Sequence, residues 1–265
     1  MSYPAPVVEA VSQAVRTSGN TTLPINKPSG TVEGDLLVAV IYNRQGPGTF
    51  TPPSGWTEIA SGYLVSFGVS WGYFYKAATA SEPSSYTWTD GYAGTTWAGC
   101  ILRISGADAA APVGASTATM VAGGRTFATS FGPLQRRNSL LVYGLVKAVW
   151  PEYGLNTPAG LVQRFDQSIS SGGSGFRGYA HTVSGGGTGS THGLAWVIGT
   201  NTETNGYQVR GGAIEIRGPS TRQWRVRDAG VWKAPNPLMV MDAGIWKEPE
   251  QVAVRDANVW KEVYA

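Results

Sequence analysis

The last 40 residues of the chain contain one eight-residue pattern three times. Each copy reads Val-x-Asp-Ala-Gly/Asn-Val/Ile-Trp-Lys, and the copies occupy 226–233, 240–247 and 254–261. Successive copies begin 14 residues apart both times, so the repeat length is constant. Self-similarity at a fixed short period indicates repeated supersecondary units. The segment 219–265 is therefore predicted to hold three equivalent modules.

Each module is predicted to be a short β-hairpin. An Asp begins the loop, where its side chain can hydrogen-bond to the backbone two residues later. The third loop position is Gly, Gly or Asn, the residues that tolerate left-handed backbone, which favours a three-residue loop with a glycine bulge. One hairpin is marginally stable alone, so we expect the hairpins to assemble. The residues predicted to pair in this assembly repeat are Val226 with Trp232, Val240 with Trp246, and Val254 with Trp260.

Within the first 218 residues, the first half of the sequence resembles the second half. Five segments match in the same order, and the offset grows from 104 to 112 residues, as loop insertions would cause. The matches predict a duplication, with one copy in 1–110 and a second in 111–218. The matching segments are 34–40 with 138–144, 51–56 with 156–161, 72–75 with 178–181, Trp88 with Trp196, and 99–106 with 211–218.

Each copy is predicted to be a series of short strands. Apolar runs such as 36–42 and 140–146 are bounded by turn residues, and 101–105 alternates in polarity as a half-buried strand does. The 36 glycines and 16 prolines suit many tight turns. The fold class is therefore predicted to be all-β: a tandem, duplicated antiparallel β-sandwich, jelly-roll-like, followed by the hairpin repeats. The pattern leaves open whether the copies form two sandwiches or one. Cys100 is predicted to be a small hydrophobe within a strand.

Several segments resemble minor tail proteins of tailed bacteriophages. They include Gly-Asp-Leu-Leu-Val at 34–38, Pro-Pro-Ser-Gly-Trp-Thr at 52–57 and the segment 75–83, and the Val-Trp-Lys modules resemble repeats near the ends of such proteins. The resemblance implies a virion tail or fibre role with host-surface contact, and it carries no catalytic residues. The expected partners are further copies of the chain (a trimer is favoured), other virion tail proteins and a host-surface glycan. A non-catalytic carbohydrate-binding module of a bacterial surface protein is the alternative.

The residue pattern favours neither an enzyme nor a cofactor-dependent protein. His181 aligns with Tyr75 and is expected at an ordinary strand position. No closely spaced cluster of His, Cys, Asp and Glu residues suggests a metal site. The carboxylates that a glycan hydrolase would need are best matched by Glu58, Asp90, Glu152 and Asp166, but turn and edge roles are favoured for them. The net charge is +3 with scattered bases, which argues against nucleic acid. Without a signal peptide or an apolar span, the chain is expected to be made in the host cytoplasm and carried in the virion, without membrane insertion.

Aromatic residues in two corresponding loops are the candidates for glycan or partner contact. Trp150 and Tyr153 follow the predicted strand 140–146, and Tyr42 and Phe50 lie in the corresponding region of the first copy. Exposed rings on a rigid sandwich can stack on sugars. The sequence therefore predicts a contact surface at these loops.

Overall fold

The computed structural model describes residues 5–44, 49–64, 68–91, 95–123, 126–136, 138–148, 155–171, 174–184, 192–198 and 208–219, and the strand segments 226–228, 231–233, 240–242, 245–247, 253–256 and 259–262. Every regular element within these residues is a β-strand, and the paired strands are antiparallel. The predicted all-β antiparallel sandwich class is therefore confirmed, whereas the jelly-roll-like connection stays a prediction. The chain forms two compact units, 4–218 and 1–3 with 219–265.

The first half of the larger unit, residues 5–110, contains one large and one small sheet. Its strands are β1 (Val7–Asn20), β2 (Thr22–Asn26), β3 (Leu36–Arg44), β4 (Thr57–Leu64), β5 (Val69–Ala77), β6 (Ser85–Thr89) and β7 (Thr95–Ser105). The large sheet has the order β1-β7-β3-β5-β4, and β2 pairs with β6. Because side chains alternate along a strand, β3 buries Leu37, Ala39 and Ile41 on the small-sheet side and other residues on the opposite side.

The second half, residues 111–218, has an equivalent arrangement. Its strands are β8 (Val113–Gly123), β9 (Thr126–Phe131), β10 (Leu140–Ala148), β11 (Leu155–Asn156), β12 (Val162–Ser171), β13 (Ser174–Ser184), β14 (His192–Ile198) and β15 (Gln208–Ile216). The large sheet has the order β8-β15-β10-β13-β12, which is the order of the first half strand for strand, and β9, β14 and β11 form the smaller sheet. A duplication predicts this correspondence of strand order.

Local details of the two halves also correspond. The amide N–H of Trp56 donates to the Pro53 carbonyl at 3.2 Å, and that of Leu161 donates to the Pro158 carbonyl at the same distance. Both turns contain a glycine with positive φ, 82° at Gly55 and 86° at Gly160. The two predicted turn segments therefore adopt the same local structure.

The pairing register corrects one sequence match. Ala39 pairs with Phe74 across β3 and β5, and Tyr143 pairs with His181 across β10 and β13. With the offset of 104 that relates β10 to β3, His181 occupies the position of Phe74 and not that of Tyr75. The predicted alignment was one residue out because it matched Gly72-Tyr73 with Gly178-Tyr179 by residue type alone. His181 is nevertheless within a strand, as expected.

The two large sheets pack face to face around one shared core. Residues of both halves belong to a single buried cluster, which includes Val38 and Val40 from β3, Val142 from β10 and Ile214 from β15. Cys100 is buried in the same cluster, which confirms its predicted role. The two halves thus form one sandwich with each other, and the β2–β6 sheet covers the outer face of the first half.

Two tyrosines of the first half fit against glycines of the second. The Tyr73 hydroxyl donates to the Gly144 carbonyl at 2.6 Å, and a Cβ atom at Gly144 or Gly212 would overlap the Tyr73 ring. The Tyr42 hydroxyl donates to the Tyr179 carbonyl at 2.7 Å. Burial raises the pKa of both hydroxyls, so they remain protonated donors.

The C-terminal segment forms the three predicted hairpins, but their register differs from the prediction. Their strands are β16 (Val226–Asp228), β17 (Val231–Lys233), β18 (Val240–Asp242), β19 (Ile245–Lys247), β20 (Ala253–Asp256) and β21 (Val259–Glu262). The expected pairing of Val226, Val240 and Val254 with the tryptophans is wrong. The observed partners are Arg227 with Trp232, Met241 with Trp246, and Arg255 with Trp260. Asp228 pairs with Val231, so two residues separate the strands, the shorter and commonest hairpin connection.

Candidate functional site: the loop-bearing end

Several connections of the first half leave the large sheet at one end. β3 ends at Arg44, which pairs with Val69 at the start of β5 and faces Thr96 near the start of β7. The segments 45–48 and 65–67 therefore begin or end here. The segment 92–94, which precedes β7, meets the same end.

The second half has the equivalent end. Ala148, the last residue of β10, pairs with Phe176 of β13 and with Gln208 of β15. The segment 149–154, which contains the candidate residues Trp150 and Tyr153, follows directly. Both residues lie outside the described residues, so their predicted contact role stays a prediction.

Both ends lie on the same side of the sandwich. Edge strand β1 contacts β12, the equivalent of β4, and β4 contacts β8, the equivalent of β1. Such crossed contacts arise when the halves are related by rotation about an axis along the strands, which leaves strand directions unchanged. Tyr42 near the end of β3 agrees with this, since it bonds to Tyr179, the partner of Leu145 near the end of β10. We call this side, defined by Arg44, Val69, Thr96, Ala148, Phe176 and Gln208, the loop-bearing end.

The two candidate aromatics of the first half are core residues. Tyr42 lies within β3 and is 0% exposed, and its ring stacks on Phe165 with centroids 6.5 Å apart. Phe50 is 6% exposed and packs against Phe74 and Trp97. The expectation of exposed rings at these two positions was wrong. Strand β3 continues two residues beyond the predicted strand 36–42, to Arg44, so Tyr42 lies inside the strand and on its inner face.

The sequence analysis did not single out Arg44, a described residue at the loop-bearing end. It is the last residue of β3, two residues beyond the predicted strand 36–42. Its side chain is half-buried, and its Nη1 atom is buried without a hydrogen-bond partner. Burial lowers the pKa of the guanidinium. Extending the strand pattern by two residues would have placed Arg44 beside the core.

Asn43, which precedes Arg44 in β3, forms a polar pair with Asp90 on the side of β3 that faces the small sheet. The Asn43 side-chain amide donates to the Asp90 carboxylate, and both residues are buried. The amide N–H of Asp90 donates to the Thr21 carbonyl at 3.0 Å. Asp90 thus holds the end of β6 against β3, which is a structural role.

The other candidate carboxylates are also engaged locally. Asp166 accepts two hydrogen bonds from the Arg177 guanidinium, at 2.5 and 2.8 Å. Glu58 is exposed and accepts a hydrogen bond from Ser61 at 2.7 Å. Glu152 lies outside the described residues. Among the residues that the structure describes, no group of three or more His, Cys, Asp and Glu side chains is arranged to hold a metal ion.

His181 is buried in the second half, away from the loop-bearing end. Its Nε2 atom lies 3.2 Å from the Thr157 hydroxyl, and its ring stacks near Tyr179 with centroids 6.0 Å apart. Burial lowers its pKa to about 4, against the opposing effect of Asp166. The imidazole is therefore neutral near pH 7.

The fold and the site define an all-β, antiparallel sandwich protein in which strand ends of both halves meet at the loop-bearing end. Comparison with protein-family models, curated proteins and solved structures finds no match. The described residues include no helix of the length and apolarity that crossing a membrane requires.

Proposed function

We propose that the chain is a non-enzymatic structural protein of a bacteriophage tail, located at the tail tip or fibre, that contacts the host surface. The observation that carries the proposal is the common loop-bearing end. Strand ends of both halves meet there, so segments from two sheets are presented together on one scaffold. Binding residues are often placed on loops held by a rigid scaffold.

The rigidity of this scaffold supports a display role. The large sheets share one apolar core, and two buried tyrosine–carbonyl hydrogen bonds join the halves. A buried hydrogen bond left without its partner costs about 1–3 kcal/mol, so both bonds disfavour separation of the sheets. The segments at the loop-bearing end can therefore vary without loss of the fold.

The hairpin repeats support a role in assembly. Each described hairpin has only two short strands of three or four residues, and such hairpins are marginally stable alone. We propose that they associate with further copies of the chain, as a trimer, or with other tail proteins. Synthesis in the host cytoplasm followed by incorporation into the virion is part of this proposal.

The bonding of the described carboxylates favours a structural protein over a glycan hydrolase. A hydrolase needs two carboxyl groups that face one cleft. Asp90 is bonded to Asn43, and Asp166 is bonded to Arg177, so each is part of a structural interaction. Neither is positioned as a free acid or base.

Electron microscopy of particles labelled with an antibody against the chain tests the virion role. We expect gold label at the distal tail of intact particles, and label that is lost when the antibody is preabsorbed with purified chain. Particles without label, under conditions in which an antibody against a known tail protein succeeds, would rule the proposal out. Free monomeric chain that binds neutral glycans instead would favour the carbohydrate-binding module.

Sedimentation of the full chain tests the assembly role. Replacing Trp232, Trp246 and Trp260 together by Ala is expected to convert a trimer to monomer, while near-ultraviolet circular dichroism reports that the sandwich tyrosines stay packed. Replacing the exposed Val32 by Ala is the matched surface control. An unchanged oligomer after the triple substitution contradicts the assembly role of the hairpins.

A further inference from the structure

Strand β1 forms one margin of the large sheet of the first half, and one of its two edges is open. The sheet order places β7 on one side of β1 and no strand of the described residues on the other. From Ala10 to Arg16 the pairing with β7 is regular, so this stretch presents an even edge. The backbone N–H and C=O groups along such an edge are a template for pairing with another strand.

The same strand leaves apolar side chains in solvent. Val11 and Val15 pair with Leu102 and Ala98 of β7, which belong to the shared core. Because directly opposed residues share a face, both valines are on the inner side of the sheet, at the margin of the sandwich. The exposed large apolar residues among the described side chains are Val7, Val11, Val15, Val32 and Val162. Three of these five are on β1, so the open edge and the exposed apolar surface coincide.

The regular stretch of β1 lacks the features that usually protect an edge strand. Such strands are commonly protected by Pro, by Lys or by charges that point inward. The stretch 10–16 reads Ala-Val-Ser-Gln-Ala-Val-Arg, with one charge at its last residue, and Arg16 shares the outer face with its partner Trp97. The irregular pairings lie outside this stretch, between Val8 and Ala10 and between Arg16 and Asn20. The middle of the strand is therefore suited to pairing.

The sequence of β1 is complementary to itself when two copies run antiparallel about Gln13. This centre places Val11 opposite Val15 of the second copy, and Gln13 opposite its own counterpart. Each valine then has an apolar partner, and the exposed amide of Gln13 has a group with which it can exchange hydrogen bonds.

The charges of the strand agree with this centre. Arg16 falls opposite Ala10 of the second copy. The bulge between Val8 and Ala10 places Glu9 beside Ala10, so the carboxylate of one copy neighbours the guanidinium of the other at both ends of the contact. Opposite charges on neighbouring strands are favourable, whereas like charges are not.

Neighbouring registers match less well. A centre at Ser12 would place Val15 opposite the charged Glu9. A centre at Ala14 would place Val15 opposite the polar Gln13. The apolar and charged matches therefore select one register, and they favour a second copy of this chain over an unrelated strand.

We propose that two copies of the chain pair through β1, antiparallel and related by a two-fold axis at Gln13, so that their large sheets join edge to edge. The same patch then serves both subunits, as in an isologous interface. The pairing covers Val11 and Val15 of each copy. Because one strand pair gives an interface smaller than about 1,200 Å², we expect a reversible contact. This contact is separate from the association of the hairpins and does not depend on it.

Disulfide trapping in the full chain tests the register. Gln13→Cys places two thiols at the two-fold axis, where opposed Cα atoms are about 4.5–5.5 Å apart, within the range that a disulfide spans. The thiol of Cys100 is buried, and burial raises its pKa, so it should not react. We expect glutathione disulfide to oxidise the two thiols to a covalent dimer, with release of reduced glutathione, and non-reducing electrophoresis to show it.

Thr17→Cys is the control, because Thr17 is exposed on the same strand. In the proposed register its two copies are about eight residues, or about 27 Å, apart, so they cannot be bridged. We expect no covalent dimer from this variant. Dimer formation at equal rates from both variants would indicate random collision and overturns the proposal. The absence of a dimer from Gln13→Cys overturns it as well.

A charge at the apolar position tests the contact itself. In the Gln13→Cys chain, Val11→Lys should slow trapping at least about tenfold, because pairing would bury an unpaired ammonium. Val32→Lys, at an exposed valine outside β1, should change the rate by less than about twofold. Equal rates for these two variants would contradict the proposal. Urea midpoints of both variants establish that the sandwich is folded.

The hairpins are the competing source of association. In the Gln13→Cys chain, replacing Trp232, Trp246 and Trp260 together by Ala should leave the trapped dimer in place. Loss of the dimer would mean that the hairpins hold the copies together, and it overturns the independent β1 contact. A dimer that persists while the larger oligomer is lost supports both proposals, and these measurements do not depend on virion labelling.

Discussion

The outer faces of the two large sheets have the same strand order but different chemistry. In the first half this face is apolar, with Ala39 and Phe74 packed in a cluster with three buried tryptophans. At the equivalent positions the second half has Tyr143 and His181, both buried. Strand order is therefore maintained by alternation and turn chemistry, while the composition of the buried face can change.

The same contrast holds at the start of the central strands. In the first half Asp35 forms an ion pair with Arg103 at 2.7 Å. The equivalent residues of the second half are Ser139 and Glu215, and the Ser139 hydroxyl donates to the Glu215 carboxylate at 2.5 Å. A partly exposed ion pair thus corresponds to a fully buried carboxylate, so the same connection is made by two kinds of polar contact.

Replacing Gly144 by Ala should lower the free energy of unfolding more than the other substitutions. It tests the fit between the two halves. The added Cβ would overlap the Tyr73 ring in the centre of the sandwich, where neither sheet can move freely. We expect a loss of about 3 kcal/mol in the free energy of unfolding, at the upper end for overpacking. Urea denaturation of the variant measures it.

Gly91→Ala is the matched control for that substitution. Gly91 is exposed, and a Cβ there would meet no atom within 4 Å. Its midpoint should stay close to that of the unaltered chain. Equal midpoints for the two variants would show that the tyrosine–glycine fit does not join the halves.

Replacing Glu215 by Gln should have the next largest effect. The carboxylate accepts hydrogen bonds from the amide N–H groups of Gln135, Arg136 and Ala115, at 2.8, 3.0 and 3.1 Å, besides that from Ser139. A side-chain amide would place its own N–H groups against these donors, so we expect a loss of roughly 2–3 kcal/mol. Thermal or urea unfolding checks the value.

Arg103→Gln provides the equivalent change in the first half. Because the Arg103 side chain is partly exposed, we expect a loss below about 1 kcal/mol. The comparison fails if the two substitutions cost the same. In that case the two polar contacts would be energetically equivalent despite their different burial.

The sequence predicted those features that depend on local chemistry. Strand content and the two Pro-x-Gly turns follow from residues whose backbone preferences are strong, such as Gly55 and Gly160. The strand ends were less predictable. Tyr42 was placed at the exposed end of the predicted strand 36–42 and Phe50 in the loop after it, because polar Asn43 interrupts the apolar run and its buried partner Asp90 is distant in sequence.

Register was the second limit. In the hairpins, Asp-Ala-Gly is compatible with a three-residue loop or with a two-residue loop, and these differ by one residue in pairing. Trp232 consequently pairs with Arg227 and not with Val226. The unpaired Nη1 atom of Arg44 was beyond prediction, since burial of one atom depends on how two distant sheets meet.

The pH dependence of stability should sharpen the contrast between Phe74 and His181. Burial lowers the folded-state pKa of His181 to about 4, below its usual value of 6.5. Between these values the unfolded chain binds a proton that the folded chain does not, so stability is complete above pH 6.5 and is lost as the pH falls towards 4. The loss from pH 7 to 5 should be about 2 kcal/mol.

His181→Phe, which introduces the residue of the first half, is the comparison variant for this pH series. Urea midpoints of the variant should vary less between pH 7 and 5 than those of the unaltered chain. The effect of other titrating groups is common to both proteins and cancels in the difference. Parallel pH profiles would contradict a buried, neutral His181.

Substitutions in the two equivalent turns should have the smallest effect on the free energy of unfolding. Their costs should also agree closely between the two halves. Gly55 and Gly160 have φ values of 82° and 86°, in the region where a side chain is unfavourable. Gly55→Ala and Gly160→Ala should each cost about 1 kcal/mol, and the Asn variants less, because Asn tolerates left-handed backbone. Urea midpoints of the four variants measure these costs.

Neighbouring atoms should not make the costs at the two positions differ. A Cβ at Gly55 would lie 3.4 Å from the flexible Lys76 side chain, and one at Gly160 would meet no atom within 4 Å. A cost at one turn only would mean that the shared turn geometry does not have the same energetic role in both halves.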